Sequence, residues 1–219
     1  MIGGTHREVG FETIEYHTLV AGDSGGGKTT YLREAHDTYP GLSIWIDHSD
    51  DGVDGITGRD IDDAATVWSE REARRSDATR LRWRCDDPLD AAASARSVAN
   101  DYHQQTGYPT QVIADEAQDG MLPDGDVEAD NPLKKMLHED RDNALKVQVA
   151  TQDPQDLEYT PLKQCKYWVW VGEWSTFHRG FINYFDLPKS ELPTEPYEVV
   201  VFDKRMNVLH RTETKEAYA

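Results

Sequence analysis

Basic side chains are scarce in this chain: 23 lysines and arginines stand against 41 aspartates and glutamates, giving a formal charge of −18 over 219 residues. A surface of that sign repels polyanions, which excludes a general attraction for nucleic acid and leaves any such contact to local basic clusters. Cysteine is nearly absent. Cys85 and Cys165 have no metal-ligand neighbour at short spacing, which argues against a disulfide scaffold or a zinc site and fits a reducing cytoplasm. The histidines are scattered, with no His-x-x-x-His or comparable grouping, so none is assigned to metal or catalysis. Long apolar runs are missing too. No stretch approaches a membrane span, and Met1 to Gly10 shows no basic patch followed by an apolar run, so neither a transmembrane segment nor a classical signal peptide is expected.

What is there suits a folded α/β domain occupying residues 1–219, with 37% hydrophobic and 29% charged residues. The acid is spread along the chain, with a dense stretch from Asp47 to Asp63, rather than gathered into one tail. It reads as a solvated coat of the kind that keeps proteins hydrated at high salt, more than as a binding site for basic partners.

Strands and helices alternate. A β-rich run at Tyr16 to Val20 enters a glycine cluster, and Thr29 to His36 reads as the first helix. A strand at Leu42 to Ile46 is followed by an acidic stretch and by a helix expected from Ile61 to Arg75. In the next strand, Thr79 to Cys85, the guanidinium groups of Arg80, Arg82 and Arg84 share one face, with Leu81, Trp83 and Cys85 on the other. Asp87 and Pro88 open a helix to about Gln105, and Thr110 to Ala114 gives another apolar strand. A helix at Pro132 to Arg141, strands at Leu145 to Thr151 and Tyr167 to Val171, and a terminal hairpin of Tyr197 to Phe202 with Val208 to Arg211 complete the pattern. The expected fold is a mostly parallel sheet flanked by helices. Trp45, Trp68, Trp83, Trp168 and Trp170 fall at positions suited to core packing.

Chemistry is concentrated in Gly22-Asp23-Ser24-Gly25-Gly26-Gly27-Lys28-Thr29, a complete G-x-x-x-x-G-K-[ST] pattern between a strand and a helix, with Thr30 next in the helix. Glycines let backbone N–H groups converge on phosphate oxygens without Cβ obstruction, and the helix N-terminus adds partial positive charge. Lys28 is expected to reach the β and γ phosphates, and the Thr29 hydroxyl to coordinate magnesium. Val112 to Glu116 is an apolar strand ending in two carboxylates, of which Asp115 suits the magnesium shell and Glu116 the polarisation of an attacking water. Gln152, closing Ala150-Thr151-Gln152, can sense the γ phosphate or hold that water. Together these point to an ATPase using ATP and Mg2+. A strand and helix intervene between the phosphate loop and the acidic strand, and a glutamate follows the aspartate, as in motor-type ATPases. No guanine-reading Asn-Lys-x-Asp occurs.

The combination of Gly22 to Thr29, Val112 to Glu116 and Ala150-Thr151-Gln152-Asp153-Pro154, with Arg141 ahead of the last, resembles the FtsK–HerA superfamily of DNA-pumping ATPases over roughly residues 15 to 171. The resemblance implies a RecA-like (ASCE) P-loop NTPase fold and a homo-oligomeric ring, usually a hexamer, threading double-stranded DNA. Members limited to the motor domain look like the genome-packaging ATPases of membrane-containing double-stranded DNA viruses, placed in the host cytoplasm or at the packaging vertex of the virion beside a capsid or membrane protein. With the acidic composition, the virus of a halophilic archaeon is implied. For Arg141 the resemblance suggests a subunit-interface role as an arginine finger; the alternative is a surface arginine paired with Asp140 or Asp142.

Candidate DNA contacts are Arg71, Arg74 and Arg75, Lys134 and Lys135, and the arginine strand, each of which alone also fits a solvated face. No sequence-reading module is apparent, so binding is expected to be sequence-tolerant. A rival expectation is a nucleotide-dependent assembly or secretion ATPase acting on protein, and a third is a nucleotide-binding switch with negligible turnover.

Overall fold

The computed structural model describes residues 16–47, 58–61, 73–74, 78–125, 128–140, 144–175 and 178–214. Its centre is a nine-stranded sheet built from β1 (Thr18–Ala21), β2 (Leu42–Asp47), β3 (Arg59–Ile61), β4 (Arg80–Arg84), β5 (Thr110–Ala114), β6 (Leu145–Thr151), β7 (Tyr167–Val171), β8 (Glu198–Asp203) and β9 (Val208–Glu213). Across the sheet the order is β3-β4-β2-β5-β6-β1-β7-β8-β9. The first seven strands in that order run parallel, and β8 and β9 add an antiparallel hairpin at one edge. This is the α/β architecture expected of a P-loop NTPase.

A parallel sheet needs crossovers that cover both faces, so its central strands read as continuous apolar runs without alternation. Every residue of β1, β2, β5, β6 and β7 is buried. One face packs Ile44, Trp83, Val112, Val149 and Trp170 against helices α2 (Pro88–Thr106), α3 (Pro132–Glu139) and α5 (Arg179–Tyr184). The other packs Val20, Trp45, Ile113 and Val171 against Leu32 of α1 (Lys28–Thr38). A short helix, α4 (Tyr159–Leu162), precedes β7.

Local chemistry sets the helix ends. Asp87 accepts from the backbone N–H groups of Leu89 and Asp90, Pro88 occupies the first turn, and Gly107 closes α2 in a left-handed conformation. Alanines Ala91, Ala92, Ala95 and Ala99 are buried, and their small size lets this helix lie close to the sheet. In α3, Asn131 caps the N-terminus through the Lys134 N–H.

The expected helix from Ile61 to Arg75 is corrected at its start, because Ile61 closes β3, which pairs parallel with β4. Ala73 and Arg74 are helical, and the rest of that span, with Trp68, Arg71 and Arg75, lies outside the described residues. The arginine strand has the expected alternation, with Leu81 and Trp83 buried and Arg80, Arg82 and Arg84 on the more open side. Arg80 donates to the carbonyls of Gly41, Asp37 and Tyr39, and Arg82 pairs with Asp47 at 2.6 Å. Neither is a free cation for DNA; Arg84 is exposed. Arg74 is tied to Asp101 and Ser97 of α2.

Candidate nucleotide-binding site

The sheet order reverses at β1, which lies between β6 and β7. Ligands of open α/β sheets bind beyond the carboxyl ends of strands at such a switch point. There β1 ends at Ala21, the glycine loop follows, and α1 begins at Lys28. Among the described residues no side chain caps α1, whose N-cap is Gly27, and the first N–H groups of a helix are the ones suited to an anion.

The loop needs glycine at particular positions. A Cβ on Gly22 would stand 2.0 Å from the Val171 carbonyl oxygen at the end of β7. Gly27, at φ 99°, occupies a region open to glycine and strained for other residues. Gly26 donates to Asp23 O and accepts from Tyr197, which joins the loop to the start of the C-terminal hairpin.

Strand β6 separates β1 from β5, and the ends of all three converge. Lys28 Nζ lies 2.5 Å from Glu116 Oε1 and 3.4 Å from Asp115 Oδ1. Asp115 is buried and accepts from the Glu116 backbone N–H at 3.1 Å. Glu116 stands in a left-handed turn, φ 47°, and its carboxylate accepts from Gln118 Nε2 at 3.0 Å, Gln152 Nε2 at 2.6 Å and the Gln152 backbone N–H at 3.2 Å. Adjacent residues of an extended strand diverge, and this turn is what brings both carboxylates to one ammonium.

Burial pushes the Asp115 carboxyl above the usual carboxylate range, with the Glu116 charge adding to the rise and Lys28 opposing it. For Glu116 burial also pulls upward, but the Lys28 charge and the bonds from Lys28, Gln118 and Gln152 outweigh it and hold the group below its ordinary value. Glu116 lines a cleft of about 230 Å³ together with Asp23, Ser24, Gly25, Lys28, Thr29, Thr30, Gln152 and Tyr197.

Magnesium fits this donor set. Asp115 and the cleft-lining Thr29 offer hard oxygens. A cation completed by phosphate oxygens and water is what magnesium prefers.

Two residues of the site carry no sequence signal, the cleft-lining Tyr197 and His178. His178 is fully buried, and its Nδ1 accepts from the Ser175 backbone N–H at 3.2 Å, which leaves the hydrogen on Nε2. Nε2 lies 3.2 Å from Asp23 Oδ1 and 3.2 Å from Gln152 O, so one imidazole links the phosphate loop to the end of β6. No spacing motif announces it, since its partners are remote in sequence. Arg141 lies outside the described residues; Asp140, one alternative partner for it, is gripped by Arg96.

No protein-family model matches the chain, and no curated protein does. Among solved structures, it is similar to the genome packaging NTPase B204 of Sulfolobus turreted icosahedral virus 2 in complex with AMP, with TM-score 0.70 and 15% identity, covering 93% of this chain and 98% of that one. The chain shares the fold of that NTPase. It is also similar to VirB4 of Thermoanaerobacter pseudethanolicus, with TM-score 0.60 and 10% identity over 93% of this chain and 90% of that one. A third likeness is to the cytoplasmic domain of the type VII secretion ATPase EccC of Thermomonospora curvata, with TM-score 0.53 and 15% identity over 94% of this chain and 24% of that one. These neighbours share the mostly parallel α/β fold that the FtsK–HerA resemblance implies.

Proposed function

We propose that this chain hydrolyses ATP to drive double-stranded DNA into a viral capsid. The observation that carries the reading is the convergence of Lys28, Asp115, Glu116 and Gln152 on the mouth of one glycine loop.

The triphosphate enters along the loop from Gly22 to Thr29, where backbone N–H groups and Lys28 hold its β and γ oxygens. Thr29 and Asp115 would hold Mg2+, which would supply neutralisation of phosphate charge. With Lys28 drawn to phosphate, Glu116 is released to take a proton from a water in line with the γ phosphorus. The new water oxygen to phosphorus bond forms as the bond to the β-bridging oxygen breaks, giving ADP and inorganic phosphate. Gln152 orients the water or the γ phosphate, and loss of phosphate is passed to the loop through His178 and Asp23.

Movement of DNA requires a ring, in which Arg141 of one subunit serves the phosphates of the next; a homohexamer is the form proposed. The fold likeness to B204, which spans nearly all of both chains, supports a packaging role. The acidic coat fits the virus of a salt-adapted host. Such a motor works in the host cytoplasm or at the virion vertex, docked on a capsid or membrane protein.

Phosphate release with and without duplex DNA in molar potassium chloride tests the proposal. Stimulation by DNA of any sequence supports it. The fold likeness to VirB4 and EccC favours a second reading, a secretion ATPase acting on protein. Turnover indifferent to DNA would favour that reading, and absence of turnover would sink both.

A further inference from the structure

The cleft above the phosphate loop has an aromatic wall. Among the described residues lining it, Tyr197 alone carries an aromatic ring. Tyr197 is 37% exposed, whereas most large apolar side chains of the fold are buried.

Its backbone is unusual. Tyr197 stands at φ 65°, a left-handed conformation in which glycine is at ease and a bulky residue is strained. Hydrogen bonds hold it there: its N–H donates to Gly26 O at 3.1 Å, and its carbonyl accepts from the Thr214 N–H at 2.8 Å. The residue is therefore clamped between the phosphate loop and the end of β9. Its ring is packed against the loop as well, since a Cβ on Gly27 would come 2.8 Å from Tyr197 Cδ1. Strained backbone that is fixed from both sides and presents a ring to a ligand cleft is the pattern expected of a built contact.

We infer that Tyr197 is the platform on which the nucleobase stacks while the loop holds the phosphates. The inference rests on reading the cleft as a nucleotide site and adds what the site grips beyond the phosphates. A ring face attracts the base by stacking and does not read its hydrogen-bonding edge. ATP and GTP are thus held alike, and both better than CTP, whose single ring covers less of the platform.

Calorimetric titration of the full chain and of Tyr197→Ala and Tyr197→Phe with ATP, GTP, CTP and inorganic tripolyphosphate tests this. Tyr197→Ala is expected to weaken ATP and GTP by about tenfold, on the scale of one base–aromatic stack, and to leave tripolyphosphate unchanged. Tyr197→Phe is expected to keep wild-type affinities. Equal ATP affinity in wild type and Tyr197→Ala overturns the inference while the nucleotide site stands, and so does a parallel loss of ATP and tripolyphosphate, which would make Tyr197 a support for the loop. A wild-type chain that binds neither ligand defeats the nucleotide-site reading itself.

Discussion

The Lys28 ammonium is shared between two carboxylates, 2.5 Å from Glu116 and 3.4 Å from Asp115. Under the proposed function, nucleotide entry is an exchange in which phosphate takes Lys28 from Glu116. Glu116→Gln removes the competing charge and the proton acceptor together. Affinity for a non-hydrolysable ATP analogue should rise about threefold, while phosphate release falls about a hundredfold, the span of a lost general base. Hydrolysis at the normal rate in this variant would remove Glu116 from the mechanism.

Two glycines of the same loop should respond differently. The Cβ of Gly22→Ala meets the Val171 carbonyl at 2.0 Å, whereas that of Gly25→Ala meets nothing within 4 Å and costs only its positive φ. Gly22→Ala should destabilise the fold by roughly 2 kcal/mol or more and abolish analogue binding, and Gly25→Ala should cost about 1 kcal/mol. Urea unfolding of the two variants side by side gives the comparison.

His178 joins Asp23 to the Gln152 carbonyl from a fully buried position. His178→Phe keeps an aromatic ring beside Trp170 but removes both bonds. Turnover is expected to fall about tenfold with analogue affinity within about twofold of wild type, the signature of coupling rather than ground-state binding. If affinity drops as far as turnover, the histidine merely supports the pocket.

Burial pushes the Lys146 ammonium down to about 7 from its ordinary 10.5. The sign follows from linkage: between those values the unfolded chain binds the proton and the folded chain does not, so stability rises with pH across that window. Lys146→Met should flatten this rise and, near pH 7 and below, raise the melting temperature by roughly 5 °C or more. Melting curves at pH 6 and pH 9 decide it, and an unchanged pH slope in the variant would clear Lys146.

The site was legible where its determinants are contiguous. Gly22 to Thr29 encodes strand end, turn and helix start within one stretch, and the buried parallel strands β5, β6 and β7 were read over the same residues the structure assigns. Features that depend on distant pairing were not legible. β3 has only Arg59–Ile61, too short for any period, and exists because β4 offers a partner. Alternation correctly placed Leu81 and Trp83 inside, but could not reveal that Asp47 and a set of backbone carbonyls consume Arg82 and Arg80. Tyr197 and His178 belong to the site through contacts with the loop far earlier in the chain.

The strand carrying the phosphate loop has no neighbour close to it in sequence: Thr18 pairs with Gln148 on one side and Tyr167 on the other. During synthesis the N-terminal strand must wait, unpaired, until those partners have left the ribosome. A nascent chain arrested before Tyr197 lacks one wall of the cleft, so under the proposed function the grip on a nucleotide waits for strands translated long after the glycine loop itself.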